Sequence, residues 1–69
     1  MSERRGYFEV FRDQRGDWRW HLRAANGRIV ADSGEGYASR RNARRAINAF
    51  VDEIRAMDLS GLQVVEVAA

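Results

Sequence analysis

An alternating run followed by a hairpin signal is the feature that most constrains this fold. Residues 18–24 read WRWHLRA, and apolar residues at every second position are typical of a strand with one buried face. Asn26-Gly27 follows directly, a pair favoured in two-residue type I′ hairpins because both central positions need a positive φ. The sequence therefore predicts a second strand, a type I′ hairpin and an antiparallel third strand over about residues 28–32.

The segment before this run predicts the first strand of the same sheet. Residues 7–12 read YFEVFR, which is rich in aromatic and β-branched side chains. The polar, glycine-containing residues 13–17 supply a turn. On the inner sheet face we expect Phe8, Val10, Trp20, Leu22, Ile29 and Ala31. On the outer face we expect Glu9, Phe11, Arg19, His21 and Arg23, with Arg28 and Asp32 beside them.

Helical periodicity begins after residue 39 and continues to about residue 57. Ser39 is the expected N-cap, because its hydroxyl accepts a free backbone N–H of the first turn. The apolar stripe consists of Ala43, Ile47, Phe50, Ile54 and Met57. Ser60-Gly61 ends the helical region, and the apolar residues 62–67 predict a fourth strand. The order β-β-β-α-β is an α+β fold with one helix across an antiparallel sheet.

Length and composition limit how such a fold is stabilised. A core in 69 residues rarely contributes more than about 3–5 kcal/mol on its own. Cysteine is absent and His21 is the single histidine, so we expect neither disulfides nor a zinc site. Oligomerisation remains as the expected source of additional stability. We expect a flexible N-terminus over residues 1–5, one domain over residues 6–67 and a tail over residues 68–69.

The charge and the motifs of the chain argue against an enzyme and against a membrane protein. The net charge of +2 is too small to indicate nucleic-acid binding by itself. No signal-peptide pattern and no apolar stretch of about 18 residues occurs, so we expect a cytoplasmic protein. No nucleophile–base, paired-carboxylate or metal-ligand signature is present. We therefore predict no enzymatic activity, no cofactor and no metal.

Residues 33–37, SGEGY, precede the helix and raise the question of phosphate binding. A P-loop needs a longer glycine-rich turn that ends in Lys followed by Ser or Thr. A dinucleotide fingerprint needs three spaced glycines in a βαβ unit. Neither pattern fits, so we interpret this segment as the turn from the third strand into the helix.

The arginines that follow are harder to explain structurally. Arg40, Arg41, Arg44 and Arg45 lie in the first turns of the helix, where the macrodipole is already positive. The main interpretation is a solvated face in which the nearby Glu35 carboxylate offsets part of the positive charge. The alternative is an anionic partner: a phosphate, a nucleic-acid backbone or carboxylates of a neighbouring subunit.

A second basic surface is predicted on the outer sheet face. Arg19 and Arg23 lie there with Phe11, and basic residues interleaved with an aromatic ring are used by proteins that bind single-stranded nucleic acid. The alternative is cross-strand pairing of these arginines with Glu9 and Asp32.

The chain resembles the YegP-like domains, small bacterial and archaeal domains of unknown function that occur singly or in tandem. The resemblance rests on FEVFRD at residues 8–13, WRWHLRAANG at residues 18–27 and SGEGY at residues 33–37, followed by Ser39-Arg40 where the family usually has serine and lysine. After Ile47 the chain departs from the family pattern, which implies a longer helix.

The resemblance implies a β(3)-α-β unit that pairs with a second copy in one continuous sheet and exchanges C-terminal strands. A chain with one unit would then form a homodimer, and no activity is implied. The main hypothesis is a non-catalytic homodimeric binding or structural module. The alternative is a protein that binds nucleic acid or phosphate through the Arg40 to Arg45 helix face, with Arg19 and Arg23 as further contacts.

Overall fold

The computed structural model describes residues 5–67. The flexible terminus predicted for residues 1–5, except residue 5, and the tail predicted for residues 68–69 lie outside the described residues. The elements are β1 (Tyr7–Arg12), β2 (Trp18–Arg23), β3 (Ile29–Asp32), α1 (Arg40–Ala56) and a short 3-10 turn (Leu59–Gly61). The strands form one antiparallel sheet in the order β1-β2-β3. The predicted α+β arrangement of three strands followed by one helix is confirmed.

An aromatic cluster joins the helix to the sheet. The ring of Trp20 lies 5.4 Å from that of Phe8 and 5.0 Å from that of Phe50, measured between centroids. In the described part of the chain, Trp20 and Ala43 are the buried apolar residues. The predicted contact between the alternating strand and the helix stripe is therefore confirmed, but the core that it forms within one chain is small.

The hairpin between β2 and β3 has a different turn from the predicted type I′. Gly27 N donates to Ala24 O at 2.9 Å, and Ala24 N donates to Arg28 O at 2.8 Å. Gly27 has φ +89°, whereas Asn26 keeps a negative φ. This is a type I turn closed by a glycine bulge. Asn26 Oδ1 accepts the Arg28 N–H at 3.0 Å, which favours this longer loop.

Ile29 does not occupy the inner position that strict alternation predicts. Leu22 is opposite Ala31, but Arg23 is opposite Ile29, so β3 carries one extra residue. Such a bulge shifts the side chains before it relative to those after it. Ile29 is 48% exposed, and the prediction that it meets the helix is wrong.

The end of the chain also differs from the prediction. Residues 62–67 form no strand with any part of the described chain. Val64 is 94% exposed and Val67 is 87% exposed. A strand requires hydrogen bonds from a neighbouring strand, so the predicted fourth strand is not formed within a single copy. Met57, predicted to end the buried stripe, is instead the exposed C-cap of α1.

Among residues 5–67, no helix combines the length and apolar character required to span a membrane.

Candidate anion-binding face and interface groove

The SGEGY segment is the connection that brings the helix back over the sheet. Trp18 N donates to Tyr37 O at 2.8 Å, and Tyr37 N donates to Trp18 O at 2.7 Å. A Cβ at Gly36 would lie 2.6 Å from Cβ of Asp17, so this close approach requires glycine. The interpretation of the segment as a strand-to-helix turn is confirmed.

Ser39 begins the helix as predicted. Its backbone is extended, and its Oγ accepts the N–H of Asn42 at 3.1 Å. The first turn contains no acidic residue, although acids are the residues that favour the positive end of the macrodipole. The capped helix therefore presents its arginines at its most electropositive end.

The helix arginines have no carboxylate partner in the part of the chain that is described. The four residues, Arg40, Arg41, Arg44 and Arg45, are exposed, and the ion pairs within residues 5–67 involve other arginines. Glu35 does not neutralise them; its Oε2 accepts from the Tyr37 hydroxyl at 3.4 Å. Partial burial, followed by the nearby Glu35 charge, raises the pKa of that hydroxyl.

Two of these arginines line a groove between the helix and β1. The guanidinium carbon of Arg40 lies 5.0 Å from the ring centroid of Trp18, a cation–π distance. The Arg12 guanidinium lies 5.9 Å from the same ring. The groove has a volume of about 470 Å³ and is lined by Phe8, Val10, Trp18, Arg40, Arg44, Ile47 and Asn48.

A second concavity lies on the solvent-facing side of the helix. It has a volume of about 440 Å³ and is lined by Arg40, Arg41, Arg44, Arg45 and Asn48. Arg40 and Arg44 therefore border both concavities, whereas Arg41 and Arg45 border only the outer one. Guanidinium N–H groups beside an aromatic face bind phosphate or carboxylate oxygens and flat rings.

Arg19 and Arg23 are not brought together with the helix arginines. They alternate along β2 with Trp20, which packs on the helix, so they lie on the opposite sheet face. Arg19 Nη1 lies 3.7 Å from Asp13 Oδ2. Arg23 Nε donates to Glu9 Oε1 at 2.7 Å, and its Nη1 donates to Gly27 O at 2.6 Å.

This outer face follows the cross-strand pairing alternative in part. The hydrogen bond from Arg23 lowers the pKa of Glu9, and Glu9 in turn raises the pKa of Arg23. Asp32, the other expected acid, instead accepts the Gly34 N–H at 2.9 Å. The ring of Phe11 packs against that of His21, with centroids 4.4 Å apart.

The surroundings of His21 are those of a structural residue of the sheet. Its Nδ1 lies 3.7 Å from Glu9 Oε1, beyond hydrogen-bonding distance. Within residues 5–67, no group of three His, Asp or Glu side chains is close enough to hold a metal ion.

The sequence did not single out Trp18 or Asn48 as members of the candidate site. Trp18 alternates with the inner-face residue Trp20 along the second strand. Its pairing with Arg12 at the end of β1 places it beside Arg40. The available signal was the shared inner face of positions 12 and 18, which becomes visible once the register is known.

Comparison with known proteins assigns the family. Residues 13–50 match the family described as Domain of unknown function (DUF1508). A UPF0339 protein of Neisseria meningitidis serogroup B is 48% identical over 42 residues, which cover 61% of this chain and 73% of that protein. A UPF0339 protein of Agrobacterium fabrum is 43% identical over 43 residues, which cover 62% of this chain and 68% of that protein.

A solved structure extends the likeness to nearly the whole chain. The NMR solution structure of a protein from Haloferax volcanii superposes with a TM-score of 0.71 and 38% sequence identity. The match covers 91% of this chain and 97% of that one. The predicted resemblance to the YegP-like domains is thus confirmed, and this chain belongs to the DUF1508 family of small domains.

Proposed function

We propose that this domain is a non-catalytic binding module that works as a homodimer, in which residues 62–67 of each copy pair with β1 of the other. The observation that carries the proposal is the exposure of this apolar segment. Val64, Val65 and Val67 are 94%, 73% and 87% exposed. Contiguous exposed apolar residues are a sign of an interaction surface.

The edge of β1 is the better place for this segment. Both β1 and β3 are edge strands of the described sheet, and an unpaired edge accepts a further strand. The groove lined by Phe8, Val10 and Ile47 borders β1 and offers an apolar surface for one face of that strand. The edge of β3 has the bulge at Val30, which disfavours regular pairing.

The small core supports the same conclusion. The buried apolar residues of the described chain are Trp20 and Ala43, whereas Leu59 and Leu62 are 56% and 59% exposed. A domain of this size is usually stabilised by a disulfide, a metal or a partner. Exchange of an identical element between two copies supplies that stabilisation with twofold symmetry.

Sedimentation of two chains tests the dimer. We expect the full chain to sediment as a dimer and a chain that ends at Gly61 to sediment as a monomer. Val64→Asp is the matched full-length variant, because it places a charge in the exchanged segment without shortening the chain. A full chain that remains monomeric at the highest concentrations measured contradicts the proposal.

A second candidate function is binding of a phosphate-rich polymer, such as a nucleic acid, at the helix face. The observation that favours it is that Arg41 and Arg45 are exposed at the positive end of the helix with no ion pair in the described chain. Like charges four residues apart on a helix are mutually unfavourable. An anion bound between them would remove that cost.

Tryptophan fluorescence against single-stranded RNA and duplex DNA at two salt concentrations tests the second function. If about four arginines contact phosphates, log K falls with log salt with a slope of about three to four units. Arg41→Gln with Arg45→Gln reduces the affinity and the slope. Arg19→Gln, on the other sheet face, is the matched control. The absence of a response at micromolar protein contradicts this function.

A further inference from the structure

We propose that Glu66 of a second copy binds the Arg40 and Arg44 side chains in the groove. This inference rests on the proposed strand exchange and goes beyond it by naming the partner residue that the two arginines lack. The C-terminal segment and the groove each have exposed charges without an oppositely charged partner in the described chain. Glu66 is exposed at the end of an unpaired segment, and Arg40 and Arg44 are exposed on one wall of the groove.

The contacts along the groove fix the direction in which the helix runs. Arg40, at the start of α1, lies against Trp18, whose strand partner Arg12 ends β1. Phe50, farther along α1, lies 6.1 Å from Phe8 near the start of β1, measured between ring centroids. The helix therefore runs antiparallel to β1. A segment that turns back after the helix and lies along β1 runs in the same direction as β1.

An exchanged strand takes the position that the chain's own strand would occupy, so this direction applies to the second copy's segment. We place its Leu62 at the level of Phe8 and Phe50, because α1 extends about 9 Å beyond Phe50 and residues 57–61 bring the chain back over that distance. Glu66 lies four residues farther on, about 13 Å along a strand. On the helix, the rise from Phe50 back to Arg44 is about 9 Å and to Arg40 about 15 Å. Glu66 thus reaches the level of these two arginines.

The alternation of side chains selects the face that meets the groove. Leu62, Val64 and Glu66 share one face of an extended segment, which is apolar at its start and acidic at its end. The groove changes in the same direction, from Phe8 and Ile47 to Arg40 and Arg44. The opposite face contains no acid, so only one orientation matches both the apolar and the charged parts.

The surroundings favour a strong ion pair. Packing of a strand over the groove removes water from the arginines, and a carboxylate between two guanidinium groups forms charge-assisted hydrogen bonds. Trp18 already holds Arg40 by its ring face, which reduces the entropy lost on pairing. Arg41 and Arg45 stay outside the groove and remain available to a separate anion.

Sedimentation equilibrium of full-length variants tests the pair. We expect Glu66→Gln to weaken the dimer at least tenfold, because the substitution removes a desolvated charge pair at both symmetric sites. Glu53→Gln changes an exposed helix acid outside the groove and leaves the dissociation constant unchanged. Arg44→Glu weakens the dimer, and adding Glu66→Arg to that variant tightens it again. Circular dichroism confirms that each variant keeps its helix.

The outcomes separate this pair from the dimer itself. A Glu66→Gln dimer as tight as the original, or a double variant no tighter than Arg44→Glu alone, overturns the ion pair and leaves the strand exchange standing. A full chain that is monomeric at every concentration overturns both proposals.

Discussion

The guanidinium carbon of Arg40 lies 5.0 Å from the ring centroid of Trp18, and this contact joins the first residue of the helix to the end of the sheet. An arginine over a tryptophan ring contributes about 0.5–1 kcal/mol at an exposed site. The contact also explains why a basic residue is tolerated at the positive end of a helix.

Replacement of Arg40 tests that contact. We expect Arg40→Gln to lower the free energy of unfolding by about 0.5 kcal/mol and to change the fluorescence of Trp18. Arg41→Gln removes a similar charge from the same helix turn without a ring contact, so it controls for relief of the macrodipole repulsion. Urea unfolding at one fixed protein concentration measures both variants in the Glu66→Gln chain, in which the proposed dimer ion pair no longer contributes. Equal effects from the two substitutions would argue against the cation–π contact.

The helix cap gives a second prediction. Ser39 Oγ accepts the Asn42 N–H at 3.1 Å, and loss of such a cap costs about 1 kcal/mol. We expect Ser39→Ala to lower the thermal midpoint, whereas Ser39→Asp preserves it because aspartate also caps and its charge favours the helix N-terminus. Differential scanning calorimetry distinguishes the two. An unchanged midpoint in Ser39→Ala would show that the cap is unimportant.

The close approach at Gly36 gives a third prediction. A Cβ there would lie 2.6 Å from Cβ of Asp17, so Gly36→Ala forces the connection away from β2. Steric insertion of this kind costs about 1–3 kcal/mol. Asp17→Gly removes the opposing Cβ and should recover part of the loss in the double variant. Urea unfolding of the single and double variants measures the coupling, and simple additivity would contradict the steric account.

The Glu9–Arg23 pair gives a prediction about pH. The hydrogen bond from Arg23 is the largest cause that lowers the pKa of Glu9 in the folded chain. A lowered pKa contributes stability that is present above the carboxyl group's ordinary pKa and is lost as pH falls through the lowered value. We expect carboxyl-detected NMR to show Glu9 titrating below its usual range.

Two arginine variants check the cause of that shift. Arg23→Gln should raise the pKa of Glu9 toward its ordinary value, while Arg19→Gln, whose ion pair is with Asp13, should leave it unchanged. A Glu9 carboxyl group that titrates identically in all three proteins would rule out the hydrogen bond as the cause.

Local patterns determined most of the secondary structure. Alternation over residues 18–23 and helical spacing from residue 40 were sufficient to predict β2 and α1, because strand and helix periods depend on the backbone alone. The Ser39 cap and the turn at residues 33–37 were also predicted, since both depend on neighbouring residues. The four helix arginines were identified as a candidate anion-binding face because their position in the first turns of the helix also follows from the local pattern.

Long-range packing decided the rest. The exposure of Ile29 follows from a bulge that β3 acquires only when it pairs with β2. The groove exists because the helix lies across β1 in one direction, which brings Arg40 onto Trp18. Packing of the helix on one sheet face also separates the helix arginines from Arg19 and Arg23, which lie on the other face.

The apolar character and strand propensity of residues 62–67 can be read from their sequence, whereas their exposure in a single copy is a property of the folded chain. The physical reason is that strand propensity is local, but the hydrogen bonds and the apolar surface that complete a strand come from a neighbour. In the described chain that neighbour is absent for residues 62–67, and the open edge of β1 is where we expect a second copy to supply it.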